Sequence, residues 1–273
     1  TMIQSAVEIY EGKYDKDAPE LIDSLMELGH ASAEYAGSAQ QQRIYARALQ
    51  IAAANDGDES LLYARLSLEA GSRILLLSST DNGLPYMKKA LAIFEKSPEA
   101  NRDWIARAEF TIGKHYLSAG RLRTAEEHFL KALQAFEDQE RPADKLQLST
   151  HAFLVEVYER QKQRDAATRH CLAIGRMVPF SPSQDPEPLF RRYPEYPERD
   201  LRRGTEGWVQ VDFVLDDSGM VLNPTVIDST VSDAMNRSAL DAIKDWRYAP
   251  RFENGTPVTT TGVQTIIKFQ IQR

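Results

Sequence analysis

The chain has 273 residues, 42% of them hydrophobic, and a formal charge of -7. That is enough apolar material for two domains with their own cores, and the charge excludes a basic nucleic-acid platform. No apolar run approaches the roughly 18 residues of a membrane span, and Cys171, the single cysteine, excludes an intramolecular disulfide. The chain opens on Thr1 without an initiator methionine, so a processed or truncated product is expected, one compatible with the loss of a signal peptide or membrane anchor.

In chain order, apolar residues recurring every three or four positions predict helices at 2–11, 19–35, 38–55, 59–78, 83–96, 99–118, 122–138, 143–161 and 164–177. Asn55-Asp56-Gly57-Asp58 and Asp81-Asn82-Gly83 are turn signals between them. Residues 105–137 show the logic. Ile105, Ala108, Ile112 and Tyr116 line one helix, and Ala125, Phe129, Ala132 and Phe136 line the next across Ser118-Ala119-Gly120. Gly113 and Ala132 are small where two helices must approach, so an antiparallel hairpin is predicted.

This pattern returns every 42 residues. Gly29, Gly71 and Gly113 are in register, as are Ala48, Ala90 and Ala132, and Tyr45, Met87, Phe129 and Cys171 share one large slot. In a degenerate fourth copy Val155 takes the glycine slot and Ile174 the alanine slot, and Ala6 and Val7 belong to a leading half copy. Such a period predicts helical hairpins stacked into a curved solenoid. Six prolines between 179 and 197 then oppose further helix and predict a linker or extended arm.

After Gly204 the period changes to two. Val209, Val211, Phe213 and Leu215 alternate with polar neighbours, Asp217-Ser218-Gly219 makes a turn, and 221–228 reads as a second strand with Pro224 at an edge or bulge. A helix over 232–245 directs Met235, Ala239, Leu240 and Ile243 toward the sheet, and 262–272 is the last strand. Trp246 is expected to close the core, with Arg247 pointing outward. Trp208 is expected to pack on the sheet.

Two resemblances follow from these residues. Gly113, Tyr116, Ala125, Phe129 and Ala132 resemble the tetratricopeptide pattern, with an interval of 42 in place of the usual 34. Glu206-Gly207-Trp208-Val209, the turn at Asp217-Ser218-Gly219, Ser238 to Pro250, the loop Asn254 to Val258, the strand ending Lys268-Phe269 and the preceding Tyr196-Pro197 resemble the C-terminal domain of the TonB energy-transducer family. The expected fold is multidomain, an all-α tetratricopeptide-like solenoid over 1–178, a proline-rich linker or arm over 179–200, and an α+β TonB C-terminal-like domain over 201–273. The second resemblance implies the periplasm of a Gram-negative bacterium and outer-membrane transporters as one partner class, met by adding a strand to a sheet edge.

No HExxH, cysteine-rich metal set, phosphate loop or carboxylate cleft is present, so no catalytic residue, metal or cofactor is expected. His30, His115, His128, His151 and His170 read as packing or surface residues, His30 facing the concave side, and Cys171 reads as packing. The register places Asp23, Arg65 and Arg107, then Met26, Leu68 and Phe110, then His30, Ser72 and Lys114, then Ala33, Leu75 and Leu117 on that concave face. Arg65, Leu68, Arg107, Phe110 and Lys114 are the expected contacts for an acidic or amphipathic peptide. In the C-terminal domain, Val263, Gln264, Thr265, Ile266, Ile267, Lys268 and Phe269 are expected to form an edge strand open to β-augmentation. Residues 187–200 or a second copy of the domain, making a homodimer, compete for that edge. The function these features point to is a non-enzymatic periplasmic interaction adaptor. The alternative is a TonB-like energy transducer whose membrane anchor is absent from this chain.

Overall fold

The computed structural model describes residues 2–31, 39–77, 80–136, 144–178 and 186–271. Contacts divide the chain into two compact units, Thr1–Glu140 and Arg141–Arg273.

The first unit contains α1 (Met2–Lys13), α2 (Leu21–Ala31), α3 (Ala39–Asp56), α4 (Leu61–Leu77), α5 (Leu84–Lys96), α6 (Arg102–Ser118) and α7 (Leu122–Gln134). A 3-10 turn, Asp81–Gly83, leads into α5. Helices α2 and α3, α4 and α5, and α6 and α7 pair as hairpins, and α4 also packs on α2 and α6. The repeating small and large residues are the contacts that hold each pair. A Cβ on Gly113 would lie 2.8 Å from the Phe129 ring, one on Gly71 would lie 2.8 Å from the Met87 sulfur, and Gly29 sits against Tyr45. Tyr45, Met87 and Phe129 are fully buried. Local chemistry sets the helix ends. The Asn101 side chain accepts from the Asp103 amide at 2.9 Å to start α6. Beyond its end, Gly120 takes φ 73° and the Arg121 amide donates to the Tyr116 carbonyl at 2.9 Å. The predicted extensions of helix over 32–35 and 137–138 lie outside the described residues.

The second unit begins with the fourth hairpin, α8 (Lys145–Arg160) and α9 (Arg164–Met177). Val155 fills the glycine slot and Cys171 the large slot, both with no exposed surface. The bulk has moved from one helix to the other. After it come β1 (Pro188–Phe190), α10 (Glu198–Arg203), β2 (Gly207–Leu215), β3 (Val221–Ser229), α11 (Asp233–Ile243), β4 (Arg247–Tyr248), β5 (Arg251–Glu253), β6 (Thr256–Val258) and β7 (Thr260–Phe269). The main sheet is antiparallel in the order β3-β2-β7, with α11 on one face. Val209, Val211, Phe213, Leu215, Val263, Ile267 and Phe269 point into a core shared with Met235, Ala239 and Ile243. Asn223 takes φ 50° where three β3 residues, from Thr225 back to Asn223, are set against the two from Asp212 to Phe213, so Pro224 does lie at a bulge on an edge strand.

The short pairs β1 with β4 and β5 with β6, and the helix α10, lie outside what the alternation predicts. The strands, of two or three residues each, and the six-residue helix are too short to show a period. The expectation for Arg247 is corrected. It is 1% exposed, and its guanidinium turns inward to the Glu159 carboxylate, the Arg164 carbonyl and the Thr168 hydroxyl. Strand β4 pairs Arg247 with Phe190, and α8 and α9 supply the acceptors that make burial of the charge tolerable. Trp246 is 4% exposed in the core, with its indole N–H donating to the Arg192 carbonyl at 2.8 Å. Trp208 lies on the sheet face away from α11, paired with Lys268.

Candidate binding surfaces

A groove of about 600 Å³ runs over the first helices of the repeat hairpins, formed by the end of α2, the exposed side of α4 and the first turns of α6. It unites His30, Arg65, Leu68, Ser72 and Arg107 from the expected face. Phe110 and Lys114 are not among its lining residues; they sit half-buried, with the Lys114 ammonium 5.7 Å above the Phe110 ring. Met26, Leu68, Leu75 and Leu117 are 7% exposed or less, so the expected apolar centre is largely consumed by hairpin packing. Asp23 is exposed, and Ala33 lies outside the described residues.

The groove also takes in Arg73, Leu76, Asn101, Asp103 and Trp104, which repeat reasoning passed over. Leu76 is 56% exposed, and the half-buried Trp104 leans on Phe94 with ring centroids 5.4 Å apart. These two supply the apolar contact that Leu68 cannot. Arg73 donates to the His30 carbonyl at 3.3 Å, where a cation satisfies the C-terminal end of α2. Glu69 lies 3.5 Å from the His30 ring. Arg65 and Arg107 are exposed and form no ion pair among the described residues. Three arginines, Arg65, Arg73 and Arg107, stand against the two carboxylates Glu69 and Asp103 in the groove lining.

Two hairpins, one in each unit, hold a buried polar pair at positions that the 42-residue alignment makes equivalent. Glu109 and His151 are equivalent positions, and so are His128 and His170. His128 Nδ1 lies 2.5 Å from the buried Glu109 carboxylate, and the His151 and His170 Nδ1 atoms are 2.7 Å apart. Tyr116 stacks on His128 as Tyr158 stacks on His170. Burial holds both members of the His151–His170 pair down to about 4. Burial also pushes the Cys171 thiol up to about 12. His115 is bonded to Asp81 at 2.7 Å.

In the C-terminal domain, β7 pairs only with β2 among the described residues, so its outer side is an open edge. Its seven expected contact residues divide by face. Val263, Ile267 and Phe269 are buried in the core and offer a partner backbone groups alone. Gln264, Ile266 and Lys268 point outward, Ile266 with 53% of its surface exposed, and Thr265 is half-buried. Gln264 is bonded to Asp212 at 3.3 Å and to Gln210 at 3.2 Å across the outer face. The competing segment 187–200 leaves this edge unpaired: β1 goes to β4, and Tyr196 packs edge-on against Phe269 near the end of the strand. Among the described residues no helix is long and apolar enough to cross a membrane.

An α+β domain of this kind behind stacked helical hairpins is the arrangement that the comparisons identify. Residues 192–271 match the family model described as Gram-negative bacterial TonB protein C-terminal, and residues 74–138 match a tetratricopeptide repeat model. Over 79 residues the chain is 33% identical to Protein TonB of Vibrio cholerae serotype O1, covering 29% of this chain and 32% of that protein. Over 68 residues it is 32% identical to Protein TonB of Yersinia enterocolitica, covering 25% and 27%. The chain therefore spans about a third or less of the length of these curated relatives. Among solved structures, the TonB C-terminal domain of Pseudomonas aeruginosa is 29% identical, covering 34% of this chain and 92% of that one with a TM-score of 0.29. The TonB2 protein of Vibrio anguillarum is 32% identical, covering 35% and 91% with a TM-score of 0.27.

Proposed function

We propose that this protein is a non-enzymatic adaptor of the Gram-negative periplasm that joins two protein partners in envelope transport. The repeat groove takes an acidic or amphipathic peptide, and the β7 edge takes an extended strand from an envelope protein, with an outer-membrane transporter as one class of candidate. The observation that carries this reading is the open β7 edge in a domain that matches the TonB C-terminal family. Main-chain bonds along β7 supply affinity there, and Gln264, Ile266 and Lys268 supply register.

Amide exchange with a candidate periplasmic peptide tests the edge. Saturating peptide is expected to protect residues 263–269, and protection confined to β2 and β3 would place the contact elsewhere. For the groove, R65E/R107E is expected to lose partners that co-purify with the intact chain from envelope extracts. Identical recovery would remove those arginines from the site.

A second reading, energy transduction to an outer-membrane transporter, draws on the same family match. In that case a longer gene product would carry an N-terminal membrane helix coupled to an inner-membrane motor. Reading the full precursor sequence separates the two, since a cleavable signal peptide with no anchor favours the adaptor. A homodimer through the β7 edge is a further occupant, recognised by a concentration-dependent mass in the absence of peptide.

A further inference from the structure

The second unit contains an interface between a repeat hairpin and the TonB-like fold. Helix α8 lies against β1 and α9 against β5. At its centre the Arg247 guanidinium enters the hairpin. Nε donates to the Glu159 carboxylate, and Nη2 donates to the Arg164 carbonyl at 2.9 Å and to the Thr168 hydroxyl at 3.0 Å. Both ionic side chains are shut off from water, Arg247 at 2% exposure and Glu159 at 5%. A charge pair buried to this degree is stable only while both partners stay in place, because removing either strands the other without solvent.

Three further contacts surround it. Asp245 accepts from Arg164 and, at 2.6 Å, from Arg192, tying the start of α9 to the segment after β1. The Arg176 guanidinium lies 5.7 Å from the Phe252 ring centroid. Gly175 has no room for a side chain: an added Cβ would fall inside contact distance of the Pro250 carbonyl and lie 2.9 Å from the Phe252 ring. The chain between these partners holds the prolines that would suit a free tether, yet residues on both of its sides are bound to each other.

We propose that hairpin α8–α9 is a constitutive part of the C-terminal domain, closing its β1–β4–β5 side to other proteins. The module that meets a partner is then residues 144–271, larger than the family-matched 192–271. The longest edges left to an external strand are then those of the β3-β2-β7 sheet. This rests on the intramolecular contacts alone and stands or falls separately from the adaptor reading.

The test uses the full chain with a site-specific protease sequence inserted between Ser183 and Gln184. The protein is folded, cut, and run on a size-exclusion column. The two pieces are expected to elute together at micromolar concentration. Separate elution of wild-type pieces that keep their circular dichroism would overturn the proposal. Arg247→Met is expected to weaken the association of the cut pieces by about thirtyfold or more, as loss of one partner of a buried charge pair does. Should that variant fail to fold, Gly175→Val probes the same interface from α9, and its side chain must displace the Pro250 carbonyl. Retention equal to wild type in the variants that fold would overturn the assignment of this surface.

Discussion

His151 and His170 show how a single repeat position acquires chemistry. Their Nδ1 atoms share one hydrogen bond at 2.7 Å, so one ring donates and the other accepts, and a proton on both would break it. Burial depresses both to about 4, against about 6.5 for a free histidine. A basic group whose pKa is lower in the folded state contributes stability that is complete above pH 6.5 and lost as the pH falls from 6.5 toward 4. The urea midpoint of the intact chain is accordingly expected to drop over that window, and H151L/H170L to flatten the drop. An equal slope in both proteins would show that the pair does not set acid sensitivity. In the equivalent pair of the preceding hairpin a carboxylate, Glu109, faces the His128 ring in place of a second imidazole. The 42-residue spacing displays both pairs in the sequence, yet only the contacts across each hairpin reveal that one joins a carboxylate to an imidazole and the other joins two imidazoles.

At the scale of an element, the hairpins are legible because each small residue faces a large one. Gly113 against Phe129 and Gly71 against Met87 appear in sequence as columns and in space as contacts. The fourth copy reads as degenerate, and its Val155 in the glycine slot and Cys171 in the large slot are both fully buried, as an exchange of bulk between the two helices would leave them. Restoring the arrangement of the other hairpins tests this directly. Val155→Gly removes a buried side chain and adds a helix-interior glycine, costing about 2 kcal/mol. Cys171→Phe overpacks a closed slot, costing about 1–3 kcal/mol. If the two positions face each other as Gly113 and Phe129 do, V155G/C171F is expected to be about 1 kcal/mol or more better than the sum of the single changes, measured by chemical denaturation. Strict additivity would separate the positions. Other elements escaped the sequence for a physical reason. Strands β1, β4, β5 and β6 have no period to read, and Arg247 carries no sign of Glu159, its partner 88 residues away. The groove divides in the same way: the register found Arg65 and Arg107, while Trp104 and Leu76 enter it from positions that the expected repeat columns do not include.

For the molecule as a whole, sequence and contacts cut the chain at different places. Composition changes at the prolines after residue 178, while contacts group everything from Arg141 onward. The two criteria ask different questions, since a repeat boundary records which residues look alike and a contact boundary records which residues lose partners together. Cooperativity distinguishes their consequences, because elements sharing a buried ion pair and close backbone packing unfold as one, and elements joined by a tether unfold apart. A fragment spanning residues 144–273 retains Trp208 and Trp246, both in the C-terminal domain, while α8 and α9 supply most of its helix. Fluorescence therefore reports the domain, and circular dichroism at 222 nm chiefly the hairpin. With Arg247 held by Glu159 and Thr168, the two signals are expected to superimpose in one urea transition, and Glu159→Gln to shift both by the same amount, about 3 kcal/mol. Removing the hairpin, as in residues 186–273, is expected to lower both the midpoint and the slope, because less surface is buried. Two separate transitions in the longer fragment, with the helix signal melting first and fluorescence indifferent to Glu159→Gln, would show that the hairpin rests on the domain without belonging to it.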